Sequence, residues 1–287
     1  MEYLMTYGWA ILIIAVVLGA LFQLGVFNAG TFAPRAPPGA CQVFRPNGPN
    51  TAALVNLEGV CSGELPQYVA MLSGNSYAKT PAVNLGSNGF TFATWVNVPS
   101  FSTGYQMPVS EGTQGCGADN GVHLVIELNS GVPYLETCNG VSGASVSCGT
   151  TLTTNTWMFL SANISYSGST WTLGISENGK LCNTASGTSF VFNDNQAVGL
   201  GAETSGDYPL ASGSHEADVQ IYNSSLSANE VQALYLEGIG GAPIRLQNLV
   251  GWWPLNGNAN DYSGNNNNGV PTGVTYTSQW ASGYTSP

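Results

Sequence analysis

Charge is what this chain has least of. Lys, Arg, Asp and Glu together are 7% of its 287 residues, against about 25% in a typical soluble domain. Five basic residues and a formal net charge of −11 cannot make a phosphate-tracking surface, which excludes nucleic acid as a partner. No pair among the six cysteines is spaced C-x-x-C, and His123 and His215 are the only histidines, so no zinc site is expected. No G-x-S-x-G and no glycine-rich phosphate loop with its Lys occurs, and Ser214-His215-Glu216 is mere adjacency. None of these patterns implies a cofactor. Apolar and aromatic residues are nevertheless plentiful, at 43% and 10%, so disorder is excluded as well. With so few charges the surface must be Ser, Thr, Asn, Gln and Gly, as in many extracellular β proteins.

The scarcity is extreme at the start, where 32 consecutive residues between Glu2 and Arg35 carry no charge. Tyr3 to Phe27 is apolar on every side, and as a helix it would be roughly 37 Å long, enough to cross a bilayer. Such a helix must be buried all round, in lipid or among other helices. Its length and the lack of a basic start argue against a cleaved secretory signal. Ala15-x-x-x-Gly19, with Gly8 nearby, permits close helix–helix approach. Glu2 lies in the first turn, where the helix dipole favours an anion and a neighbouring subunit's terminal ammonium could pair with it. A plain membrane anchor and a filament-core helix both fit. The run MEYLMTYGWAILII resembles the N-terminal segment of archaeal type IV pilins after removal of a short leader. The resemblance implies that residues 1–27 leave the membrane to bundle with copies of themselves in a filament core, with globular domains outward. Residues 28–40, Pro- and Gly-rich, read as a semi-rigid linker.

All six cysteines, Cys41, Cys61, Cys116, Cys138, Cys148 and Cys182, follow the apolar segment. An even number beyond an uncharged anchor reads as three disulfides in an oxidising, extracellular space. Of the 15 possible connectivities, the expected set is Cys41–Cys61, Cys138–Cys148 and Cys116–Cys182. Asn163-Ile-Ser165 and Asn223-Ser-Ser225 are N-glycosylation candidates in the same compartment.

From about residue 66 onward the pattern is β. Phe90, Phe92, Val96 and Val98 alternate onto one face, and short apolar runs recur at 122–128, 157–166, 170–177, 197–202 and 216–222 between turn-forming segments. One helix interrupts them, with Ser227-x-x-Glu230 as capping box, Val231, Leu234 and Tyr235 as apolar face and Gly238 as stop. The expected fold is mainly β, an antiparallel sandwich behind a long N-terminal helix. AVNLGSNGFTFATWVNV, EADVQIYNSSLSANEVQALY and LVGWWPLNGNANDYSGNNNNG resemble segments of laminin-G-like, concanavalin A-like jelly rolls. In that family the last of these opens the domain. Here it closes it, which implies a domain over 41–287 that is circularly permuted, with 249–287 packed within the chain or donated to a neighbour.

The search for chemistry yields three candidates. Glu216-x-Asp218 could be a glycosidase acid pair, although backbone bonding by Asp218 at a strand end is favoured and no enzyme activity is expected. The loop containing Asn258, Asn260 and Asp261 gathers oxygens that could hold structural calcium, but with one acid it reads better as self-bonded Asx turns. Trp95, Tyr105, Trp171, Trp252 and Trp253 could stack on sugars or fill the core. The resulting expectation is an extracellular pilin whose lectin-like domain meets glycans. The rival is a membrane-anchored lectin that never polymerises.

Overall fold

Two-residue turns with positive φ at both positions mark where the chain reverses. Ser130-Gly131 and Asn178-Gly179 take this form, at φ 52 and 85 and at φ 49 and 73, as tight hairpins require. The computed structural model describes residues 13–17, 42–44, 53–55, 65–85, 89–101, 104–112, 123–138, 143–188 and 195–287. The strands are β1 (Gln42–Phe44), β2 (Ala53–Val55), β3 (Val69–Met71), β4 (Tyr77–Val83), β5 (Gly89–Asn97), β6 (Tyr105–Glu111), β7 (His123–Asn129), β8 (Val132–Cys138) and β9 (Gly143–Ser147). They continue with β10 (Trp157–Ser167), β11 (Thr170–Glu177), β12 (Lys180–Thr188), β13 (Gln196–Leu200), β14 (His215–Tyr222), β15 (Leu249–Trp253), β16 (Val270–Thr272) and β17 (Thr275–Thr277). Residues 13–17 form a helical turn, α1, and Ala228–Glu237 forms α2.

The strands make an antiparallel sandwich. One sheet runs β12-β11-β10-β5-β14-β3-β17, with β15 also on β14, and the other runs β16-β4-β13-β6-β7-β8-β9, while β1 and β2 pair separately. Phe90, Phe92, Val96 and Val98 lie in the core between the sheets, as their alternation predicts. The opposite face of β5 is buried too. Ala93 and Trp95 belong to a second apolar layer with Val231 and Leu234 of α2 and with Trp280 near the C-terminus. The α2 capping box forms as predicted, with Ser227 accepting from the Glu230 backbone and Glu230 accepting from the Ser227 backbone. Gly238 ends the helix at φ 81, a conformation that glycine takes at little cost. The last residues join both sheets within the chain, β15 on β14, β17 on β3 and β16 on β4.

The cysteine pairing departs from expectation. Cys148 bonds Cys182, with Cα atoms 4.9 Å apart, so neither Cys138–Cys148 nor Cys116–Cys182 forms. Cys138 sits opposite Gly143, whereas the Cys148 amide bonds Pro133. They lie at opposite ends of the β8–β9 hairpin, roughly 16 Å apart at strand rise. Cys148 follows the edge strand of one sheet and Cys182 is on the edge strand of the other, so the bond staples the open side of the sandwich. Cys41, Cys61 and Cys116 lie outside the described residues.

Of the helix expected over 1–27, only 13–17 is described. Ala15 lies in it, and Glu2, Gly8 and Gly19 lie outside the described residues. Among the described residues no helix is long and apolar enough to cross a membrane.

Candidate functional site

Two residues apart on a strand, Glu216 and Asp218 should share a face. Asp218 instead has φ +52, and the β14 register against β5 shifts between Ala217 and Gln220, a bulge that separates the two acids. Glu216 points between the sheets, where Thr94 Oγ1 donates to its Oε1 at 3.3 Å, and burial pushes its carboxyl well above the usual carboxylate range. Asp218 points the other way, accepting from Trp252 Nε1 at 2.7 Å and Gln220 Nε2 at 2.9 Å. Tyr222 Oη in turn donates to Gln220. At 1% and 3% exposure on opposite faces, the two carboxyls cannot flank a glycosidic bond. Asp218 organises a buried polar chain.

The calcium candidate loop spends its oxygens on itself. Asp261 accepts from the Trp252 and Ser263 amides through Oδ1, at 3.0 and 2.8 Å, and from Ser263 Oγ and the Asn267 amide through Oδ2, at 2.9 and 2.8 Å. Asn258 Oδ1 accepts the Asn260 amide at 2.9 Å, an Asx turn. With its one carboxylate holding four donors, this loop does not fit a hard cation that needs six to eight oxygens. Among the described residues the one group of potential ligands close enough to share an ion is Cys148, Glu177 and Cys182, and its two sulfurs are joined.

The aromatic candidates separate cleanly. Trp95, Trp171, Trp252 and Trp253 are core residues, at most 9% exposed, and the indoles of Trp252 and Trp253 hydrogen-bond to Asp218 and to the Asn267 carbonyl. Tyr105 is 39% exposed, and it meets a residue that the alternation pattern did not single out, Tyr208, 37% exposed. Their rings are 6.1 Å apart at 70°, edge to face. Tyr208 belongs to the segment after β13, whose Ala202 and Glu203 fold back over Gly199. A side chain at Gly199 would collide with Ala202 and Ser110. Gly206 donates to the Glu203 carbonyl at 2.8 Å and Glu203 to the Asp207 carbonyl at 3.0 Å. Tyr208 itself has φ +51, where a bulky side chain costs on the order of 1–3 kcal/mol and which is over-represented at functional sites. Met107 donates to its carbonyl at 2.9 Å and holds it there. Ser205 Oγ lies 2.9 Å from Glu203 Oε2 and 2.8 Å from Asp207 Oδ2, in the segment that leads into Tyr208. The legible signal was the run SGDYP, an aromatic in a polar turn with no alternating partner.

Residues 72–232 match the sequence profile of the Concanavalin A-like lectin/glucanases superfamily. The chain belongs to this family. Among solved structures it is similar to a protein from Bacteroides ovatus described as carbohydrate binding, at 17% identity and a TM-score of 0.52, over 75% of this chain and 60% of that one. The chain thus spans about 60% of the length of the Bacteroides protein. A heptameric SAP-like pentraxin from Limulus polyphemus aligns at 17% identity, TM-score 0.47, over 74% of this chain and 94% of that one. The CBM40 of a Ruminococcus gnavus sialidase, bound to α2,3 sialyllactose, aligns at 18% identity, TM-score 0.43, over 60% and 98%. No curated protein matches.

On the outer face of the other sheet, this concanavalin A-like domain has a groove of about 470 Å³ between β10–β12 and the start of α2. Both sequons reach it. Asn163 Nδ2 donates to Ser225 Oγ at 2.8 Å and to the Leu226 carbonyl at 3.4 Å, so the acceptor of one sequon is tied to the hydroxyl of the other. Its Oδ1 occupies the space a side chain at Gly174 would take. Asn223 is exposed, with its Oδ1 accepting from Asn248 Nδ2 at 2.9 Å.

Proposed function

We propose that the chain is an extracellular, non-enzymatic saccharide-binding protein whose Tyr105–Tyr208 pair is the platform for a sugar ring. One observation carries the reading: an exposed aromatic pair kept in place by a strained backbone at Tyr208. Aromatic faces take up the C–H side of a sugar, while Ser205 and Asp207 offer hydrogen bonds to its hydroxyls. Beside carboxylates in a chain of net charge −11, the ligand is a neutral glycan, since an acidic one would be repelled. The buried, divergent positions of Glu216 and Asp218 support binding rather than turnover. The test is a glycan array with the whole protein. Wild type binds neutral glycans, and Tyr105→Ala and Tyr208→Asn each lower the affinity at least tenfold. Unchanged binding by both variants would overturn the platform.

We propose further that the N-terminal segment carries this domain on a filament. Ile13, Ile14, Val16 and Val17 of α1 are 49–63% exposed, an apolar surface that needs other helices or lipid around it, and the run before and after it resembles archaeal pilins. Regular helical filaments in electron micrographs of native material support this reading, whereas membrane-bound monomers favour the anchored lectin. Exposed Asn223 is the better glycan acceptor of the two sequons. The pairing of β15 with β14, beyond the end of the family match, supports a permuted order.

A further inference from the structure

We infer that the groove between β10–β12 and α2 is a second saccharide site, separate from the tyrosine platform and fitted to a neutral sugar of one or two rings. Its volume, about 470 Å³, is within the range of small-molecule sites. It is built from two independent elements. Ser165, Thr172 and Ser176 rise from the strands, Thr184 stands on the edge strand, and Ser227 faces them from the helix cap. Hydroxyls both donate and accept, which suits the mixed donor and acceptor pattern of a sugar better than that of a peptide or an anion. Between them Leu181, 44% exposed, gives an aliphatic patch for the C–H face of a ring, with Leu226 packed beneath.

Charge argues for neutrality. Among the described residues Glu230 and Arg245 are the charged ones lining the groove, and they pair with each other at 2.8 Å, so their charges offset. The hydroxyl share is too high for a lipid chain. The walls are also set in advance. Asn163 bridges from β10 to Ser225 and Leu226, the capping box fixes Ser227, and the Cys148–Cys182 bond anchors the edge strand that carries Leu181 and Thr184. A preformed site loses little ordering entropy on binding.

The test uses the full protein and a panel of neutral disaccharides, maltose, cellobiose and lactose, titrated by calorimetry. The groove is then filled by Leu181→Trp and, separately, by Thr184→Trp, both at exposed positions, with thermal unfolding as the control for folding. The expected result is saturable binding that survives in the Tyr105→Ala/Tyr208→Asn protein and weakens at least tenfold in either groove variant. Absence of saturable binding to wild type, loss of all binding in the tyrosine variant, or full binding by both folded groove variants would each overturn the groove site. Because each pair of variants touches one face of the sandwich, failure of the groove leaves the platform reading to stand or fall alone.

Discussion

At the scale of single residues, Glu216 carries the clearest consequence. Its Oε2 is buried without a hydrogen-bond partner among the described residues, and burial raises its pKa, with the Thr94 hydrogen bond opposing. A carboxyl whose pKa is higher folded than unfolded binds its proton more tightly in the native state. Its contribution to stability is therefore complete below the ordinary carboxylate pKa, about 4.3, and is lost as pH rises through the folded value. Glu216→Gln should flatten the decline of melting temperature as pH rises above about 4.3, read by thermal scans. Equal slopes for variant and wild type would refute the assignment. Neighbouring His215 acts in the opposite sense. Burial lowers its pKa, so it disfavours the fold as pH falls below about 6.5, and with the Glu216 carboxyl removed this rise of stability with pH should stand out. Tyr208 poses a different test of the same scale. Tyr208→Asn, with a residue that tolerates the left-handed region, should alter stability by no more than about 1 kcal/mol in chemical denaturation while sugar binding is lost. A large loss of stability would mean the ring is there for packing.

At the scale of elements, the disulfide joins what the sequence keeps apart and the β14 bulge separates what it keeps together. Cys148 and Cys182 close a loop of sequence separation 34, so a Cys148→Ser/Cys182→Ser protein should lose about 3–4 kcal/mol on the loop-entropy estimate, measured as a fall in urea midpoint. Asp218→Ala would leave two buried donors, Trp252 Nε1 and Gln220 Nε2, without their acceptor, at a cost of about 2–4 kcal/mol. A loss under about 1 kcal/mol would show that the polar chain rearranges. Helix α2 was legible because a capping box acts over three residues. The inner face of β5 was legible because alternation is local. Burial of its outer face was not, since Ala93 and Trp95 are covered by α2 and Trp280, which arrive from more than 130 residues away along the chain. The cysteine partners were illegible for the same reason: adjacency of two sheet edges leaves no trace in local spacing.

At the scale of the whole molecule, the sparse charge divides into an uncharged N-terminal segment and a sandwich whose polar surface is hydroxyl and amide. If residues 1–27 bundle in a filament core, Gly19→Leu should abolish filaments seen by electron microscopy, because the bulkier side chain holds helices apart. The sandwich should keep its melting temperature. Normal filaments from this variant would remove the Ala15–Gly19 contact from the account. The sequence alone determined the mainly β class, the boundaries of α2 and the inner face of β5, since each follows from composition or from neighbours within a few residues. Only the tertiary structure decided that Glu216 and Asp218 diverge, that four tryptophans are core, that Cys148 meets Cys182, and that Tyr208 stands beside Tyr105. Each of those depends on a bulge, a sheet edge or a returning loop, and such features arise when distant segments compete for the same space.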